Sequence, residues 1–291
     1  MTEEPKGMYS VRSCPWLLLF VFYLNYVSRE MLDIFWNRHF KTGMPHLAEL
    51  ACIQIISVLL PCVIFILLKN VKPSEVIKHR KLSVTAVFMC VLAGAGAQPV
   101  SALINAPVVA FLTKHGFEFS QTVSRSDNFA AAILVTALMP AVFEEILMRG
   151  IVLHATEKYG YRASLFISAI WFAVLHNNPA SFVSTLFIGF VLCYAVWMTQ
   201  SVYAGMIIHF SFNACALLLE YSSFEFNTLA AAAVMVISAV VFVMSISALN
   251  RKLVRRYKSY GLGRQIAKAI FNVPMVIIIL GYVMFFFTSN I

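Results

Sequence analysis

Apolar residues run along this chain in blocks long enough to cross a lipid bilayer, and the short stretches between the blocks hold most of the charge. A spanning helix needs about 20 predominantly apolar residues, because each residue rises about 1.5 Å. Such runs lie at 14–35, 47–68, 84–113, 128–153, 163–176, 182–199, 202–221, 228–249 and 270–288. They predict an all-α polytopic membrane protein, a bundle of about 8–9 transmembrane helices. The run at 163–176 is the shortest. At about 21 Å against a hydrocarbon core of about 30 Å, it is predicted to end partway across, with His176 inside the membrane thickness.

Composition supports this class: of 291 residues, 60% are hydrophobic and only 12% charged, with a mean hydropathy of +0.81. A net charge of +9 would suggest a nucleic-acid partner in a water-soluble chain, but here the basic residues flank apolar runs and read as topology signals. No nucleic-acid partner is expected. With the N-terminus inside, sixteen of the 22 Lys and Arg residues fall on inner segments and five, Arg29, Arg38, Lys41, Lys114 and Arg125, on outer ones. The expected placement is an integral protein of the cell (plasma) membrane, N-terminus cytoplasmic and C-terminus outside, with the lipid bilayer as its surroundings. The inner segment 250–268, with Arg251, Lys252, Arg255, Arg256 and Lys258, reads as a stop-transfer flank that can also rest on anionic headgroups. Cys14, Cys52, Cys62, Cys90, Cys193 and Cys215 are scattered singly and read as packing residues. The string Gly94-x-Gly96-x-x-Pro99 lies in an apolar helix with no preceding strand, so it is not a nucleotide fingerprint.

One run breaks the apolar pattern. Ala130 to Leu153 is oily apart from Thr136, Glu144, Glu145, Arg149 and the helix-softening Pro140 and Gly150. Each ionised side chain at a helix centre costs about 2.5–3.5 kcal/mol, so the charged trio costs on the order of 8 kcal/mol unless it pairs or reaches water. Two more polar pairs follow at helical spacing. Glu145 and Arg149, Phe172 and His176, and His209 and Asn213 are each i,i+4, so each pair projects from one face of its helix. On the predicted topology these positions lie about 10–20 Å from the inner face, at a depth where they can share one recessed cavity.

The residue types have separable uses. Arg149 can neutralise Glu145, leaving Glu144 as a carboxylate in a poorly solvated pocket, where it can accept a proton from a water shared with His176. His209 and the Asn213 amide can donate to the oxyanion that forms when that water attacks a carbonyl. This chemistry needs no cofactor. Zn²⁺ held by Glu144, Glu145, His176 and His209 is the alternative, opposed by Arg149 and by the lack of an H-E-x-x-H pair. A proton-coupled transporter would call for a symmetric repeat with broken helices, which the sequence lacks.

Glu144-Glu145-x-x-x-Arg149, Phe172-x-x-x-His176 and His209-x-x-x-Asn213, in that order on successive helices, resemble the CPBP family, the CAAX protease and bacteriocin-processing (Abi) proteins that include the type II CAAX prenyl endopeptidases. The resemblance implies an intramembrane endopeptidase, glutamate-dependent though sometimes labelled a metalloendopeptidase, acting on a membrane-associated peptide or protein. It implies that Glu144 and His176 activate water, that His209 and Asn213 form the oxyanion hole, and that Glu145, Arg149 and Phe172 support the site. Residues 128–221 would then be the catalytic core, flanked by membrane helices in 1–127 and 222–291. Prenyl-protein processing, bacteriocin processing and self-immunity are all roles associated with such proteins. A noncatalytic membrane scaffold or bacteriocin self-immunity protein using the same fold is the alternative reading.

Overall fold

A computed structural model describes residues 13–40, 44–117, 128–222, 227–249 and 262–288. The described residues form ten main helices: α1 (Ser13–Phe40), α2 (His46–Leu68), α3 (Val84–Lys114), α4 (Phe129–Tyr159), α5 (Tyr161–Leu175), α6 (Pro179–Thr199), α7 (Val202–Tyr221), α8 (Thr228–Ala248), α9 (Leu262–Ile270) and α10 (Val273–Thr288). Among them there is no strand, only an isolated bridge between His79 and Ser201. The fold is an all-α polytopic membrane architecture.

Each of the nine apolar runs is helical, but fewer than the expected eight to nine qualify as complete spans. Among the described residues six helices, α2, α3, α4, α6, α7 and α8, are long and apolar enough to cross a membrane, and α9 with α10 would make a seventh as a pair bent by 65°. The shortfall has two physical causes. The second half of α1 carries Arg29, Glu30, Asp33 and Arg38, and α5 is too short. Termination of α5 is local: Asn177 takes φ 45 in the left-handed region, and the Asn178 side chain caps the next turn by accepting from Ala180 N at 2.9 Å. The bend before α10 is likewise made by one residue, Asn272, whose Nδ2 donates to Ala269 O at 2.6 Å while its Oδ1 accepts from Met275 N at 3.1 Å.

Lys6, Arg12, Lys41, Arg125 and the 251–258 basic cluster, which carry part of the expected topology, lie outside the described residues. The rest of the proposed headgroup segment, from Leu262, forms α9, whose Leu262 and Ile266 pack on the core. Trp171 Nε1 also donates to Ala269 O at 3.2 Å, tying α9 to α5.

α5 is enclosed by protein: Ala163, Ser164, Ile167, Ser168, Ala169, Trp171, Phe172, Ala173 and Val174 are all buried. Its short length therefore leaves little backbone facing lipid. α3 packs against both α7 and α8, and the glycine string explains how. Gly94 and Gly96, about 200° apart around the helix, meet different neighbours. A methyl group at Gly94 would stand 2.7 Å from Ser211 Cβ on α7, and one at Gly96 would stand 2.9 Å from Ser238 O on α8. Small residues here permit close helix approach. All six cysteines are free, and four of them, Cys14, Cys62, Cys90 and Cys193, are buried.

Candidate active site

The site is built around α4, which is not a regular helix. Two π-helical stretches, Ile133–Leu138 and Ile146–Val152, interrupt it, and Glu144 and Glu145 close the α-helical segment between them. Such wide turns displace side chains relative to a regular helix and are frequent at functional sites. Pro140 contributes to the irregularity, because it has no N–H for the carbonyl four residues back, that of Thr136. This carbonyl accepts from Asn213 Nδ2 on α7 at 3.3 Å.

Consecutive residues on a helix point about 100° apart, and the two glutamates meet different surroundings. Glu145 is fully buried, and so is Arg149 (both side chains 0% exposed), which donates to Glu145 Oε1 from Nη1 at 2.7 Å. Arg149 Nη2 donates to Gly189 O at 3.1 Å, and its guanidinium lies 4.5 Å from the Phe172 ring centroid. His209 Nδ1 stands 3.2 Å from the same Oε1. A carboxylate can only accept, so the Nδ1 proton resides on His209. The cluster is thus a buried ion pair extended by an imidazole.

Glu144 faces a more open space. Its side chain is 15% exposed and that of His176 is 33% exposed, with Glu144 Oε2 3.7 Å from His176 Nε2. His176 Nδ1 lies 2.7 Å from Phe172 O, an acceptor, so Nδ1 carries a proton, and in the neutral form of the ring Nε2 presents a lone pair to the carboxylate. Two acceptors face each other across a gap too wide for a direct hydrogen bond. Glu144 Oε2 is buried and has no hydrogen-bond partner. A water beside the pair can donate one O–H to each.

Phe172 joins the two halves. Nearly fully buried, it meets His176 edge-on at 4.5 Å and His209 at 5.8 Å, in addition to stacking under Arg149. The structure therefore brings Glu144, Glu145, Arg149, Phe172, His176 and His209 into one connected group, arranged as two adjoining clusters. Asn213 attaches through Thr136. Among the described residues, no group of three or more His, Cys, Asp or Glu is placed to hold a metal ion. The four side chains named for Zn²⁺ fall into two pairs, one already neutralised by Arg149, and this donor set does not fit a metal.

Sequence reasoning missed two residues. Gln54 of α2 donates from Nε2 to Glu144 Oε1 at 3.3 Å. The available signal was a lone amide in an otherwise apolar run. Thr136 contributes through its backbone carbonyl, and the proline four residues on is the sign that this carbonyl lacks a helical partner.

Helices and site together define a polytopic membrane protein with a recessed carboxylate and imidazole centre. Residues 126–215 match the family model described as type II CAAX prenyl endopeptidase Rce1-like. The resemblance to the CPBP family carried by the three motifs is shown over that segment, just under a third of the chain. No curated protein and no solved structure matches the chain.

Proposed function

We propose that this protein is an intramembrane endopeptidase that hydrolyses a peptide bond in a membrane-associated peptide or protein. The observation that carries the reading is the facing pair of acceptors, Glu144 Oε2 and His176 Nε2, 3.7 Å apart in a partly exposed recess. A water held by both loses a proton to Glu144 as its oxygen attacks the scissile carbonyl carbon. The resulting oxyanion accepts from the second Asn213 amide hydrogen, the first being directed at Thr136 O. His209, whose Nδ1 faces Glu145 Oε1, is the second donor to the oxyanion, through Nε2 when the ring carries both protons. The C–N bond then breaks, and the proton on Glu144 passes to the leaving amine. No step in this scheme calls for a metal or other cofactor.

The family-model match supports the peptidase class. The test is a comparison of membrane proteomes carrying wild-type protein or Glu144→Ala, scored for new N- and C-termini. Termini present with the wild type and lost with an equally abundant variant are expected, and they would identify the substrate. Identical sets of termini would overturn the hydrolytic reading. A phenotype that persists in the variant would favour a scaffold or immunity role.

A further inference from the structure

We infer that Gln54 is a positioning residue for Glu144, setting the carboxylate so that one oxygen is held and the other is left for water. This rests on the hydrolytic reading above. Gln54 lies 90 positions before Glu144 and reaches it from a different helix, with Nε2 3.3 Å from Oε1. The orientation of the amide follows from chemistry: a carboxylate offers no proton, so the group facing it is the N–H₂ end.

The consequence is a division of labour between the two carboxylate oxygens. Oε1 is engaged by Gln54, while Oε2 has no hydrogen-bond partner and points at His176 Nε2. A carboxylate with one oxygen fixed cannot rotate freely about its terminal bond. Oε2 therefore stays in the plane where it can share a water with the imidazole.

Local structure explains how Gln54 comes to this place. It ends the first α-helical segment of α2, immediately before a π-helical stretch at Ile55–Leu59. Pro61 follows and supplies no N–H to the Ser57 carbonyl. Ser57, fully buried, turns its hydroxyl back to Ile53 O at 2.6 Å. This irregular turn brings Gln54 against α4. The carboxylate that the amide faces is the one beside the partly exposed His176. Gln54 Oε1 is itself buried without a partner, so the contact is retained although half of the amide goes unsatisfied.

The test uses full-length protein in proteoliposomes and a synthetic peptide spanning a junction whose cleavage is lost with Glu144→Ala. Gln54→Met keeps the length and apolar fit but removes the donor. It is expected to lower kcat about 10- to 100-fold, the range for a lost hydrogen bond to a charged group, with KM changed less than twofold and thermal melting unchanged. Gln54→Asn keeps the amide on a shorter arm, and its kcat should lie between the two. It serves as the second measurement if the methionine variant does not accumulate. Wild-type kcat in either variant, with Glu144→Ala inactive, overturns this inference alone, as does a loss seen only in KM or in melting. Absence of any Glu144-dependent junction overturns both this inference and the reading on which it rests.

Discussion

Glu144 and Glu145 share a peptide bond, yet they belong to opposite kinds of surroundings. Around Glu145 one oxygen, Oε1, is shared by a fully buried guanidinium at 2.7 Å and an imidazole at 3.2 Å, with an aromatic face against the arginine, while Oε2 is buried without a partner. Around Glu144 one oxygen is held by an amide, while the other faces a partly exposed imidazole at 3.7 Å. The closed half has the features of a structural ion pair and the open half those of a reactive one. Buried charge is tolerated where it is neutralised and hydrogen-bonded. Each glutamate keeps one oxygen without a partner, and what sets Glu144 apart is a partly exposed imidazole beside that oxygen and no guanidinium on the other.

This contrast can be broken experimentally, beginning with its largest consequence. Glu144→Gln should lower cleavage by about 10²–10⁴-fold, the usual contribution of a positioned general base, while abundance in the membrane stays at wild-type level. Arg149→Met should do the reverse in kind. It strands the Glu145 charge in a dry site and should cost about 3–5 kcal/mol of stability, read as loss of accumulation and a lowered melting temperature. If the two variants had the same profile, the division into open and closed halves would be wrong.

Asn213 sharpens the boundary between the halves. Its amide anchors to a backbone carbonyl on α4, so Asn213→Ala should lower kcat about 10²–10³-fold through the lost oxyanion donor, with a smaller stability loss of about 0.5–1.5 kcal/mol. A melting change with no change in kcat would reassign it to packing. The mildest test falls on Gly205 of α7. An added methyl would press on Glu145 Oε2 and stand 2.9 Å from Val196 Cγ2, so Gly205→Ala should destabilise by about 1–3 kcal/mol. Denaturation in detergent would measure it, and an unperturbed midpoint would mean that the closed half has slack.

Much of this organisation can be read in the chain before any folding is considered. The helices follow from apolar runs, and the i,i+4 pairs follow from helical periodicity, including the Glu145 and Arg149 ion pair. Spans are less legible, because length and hydropathy describe a helix against lipid, whereas α5 sits against protein. The glycine string illustrates a different limit. Sequence context excluded a nucleotide site, but the reason for two glycines became visible only when α7 and α8 were found on opposite sides of α3.

The sequence by itself determined which segments are helical, that the chain lives in a membrane, and which polar side chains share a helix face. These are properties of neighbours within a turn or two, where backbone geometry is nearly fixed. Tertiary structure alone decided that His209 joins Glu145 while His176 joins Glu144, and that Gln54 reaches the Glu144 carboxylate. Those contacts link residues 64, 32 and 90 positions apart. Helix crossing and the π-helical turns set their geometry, and no local periodicity encodes it.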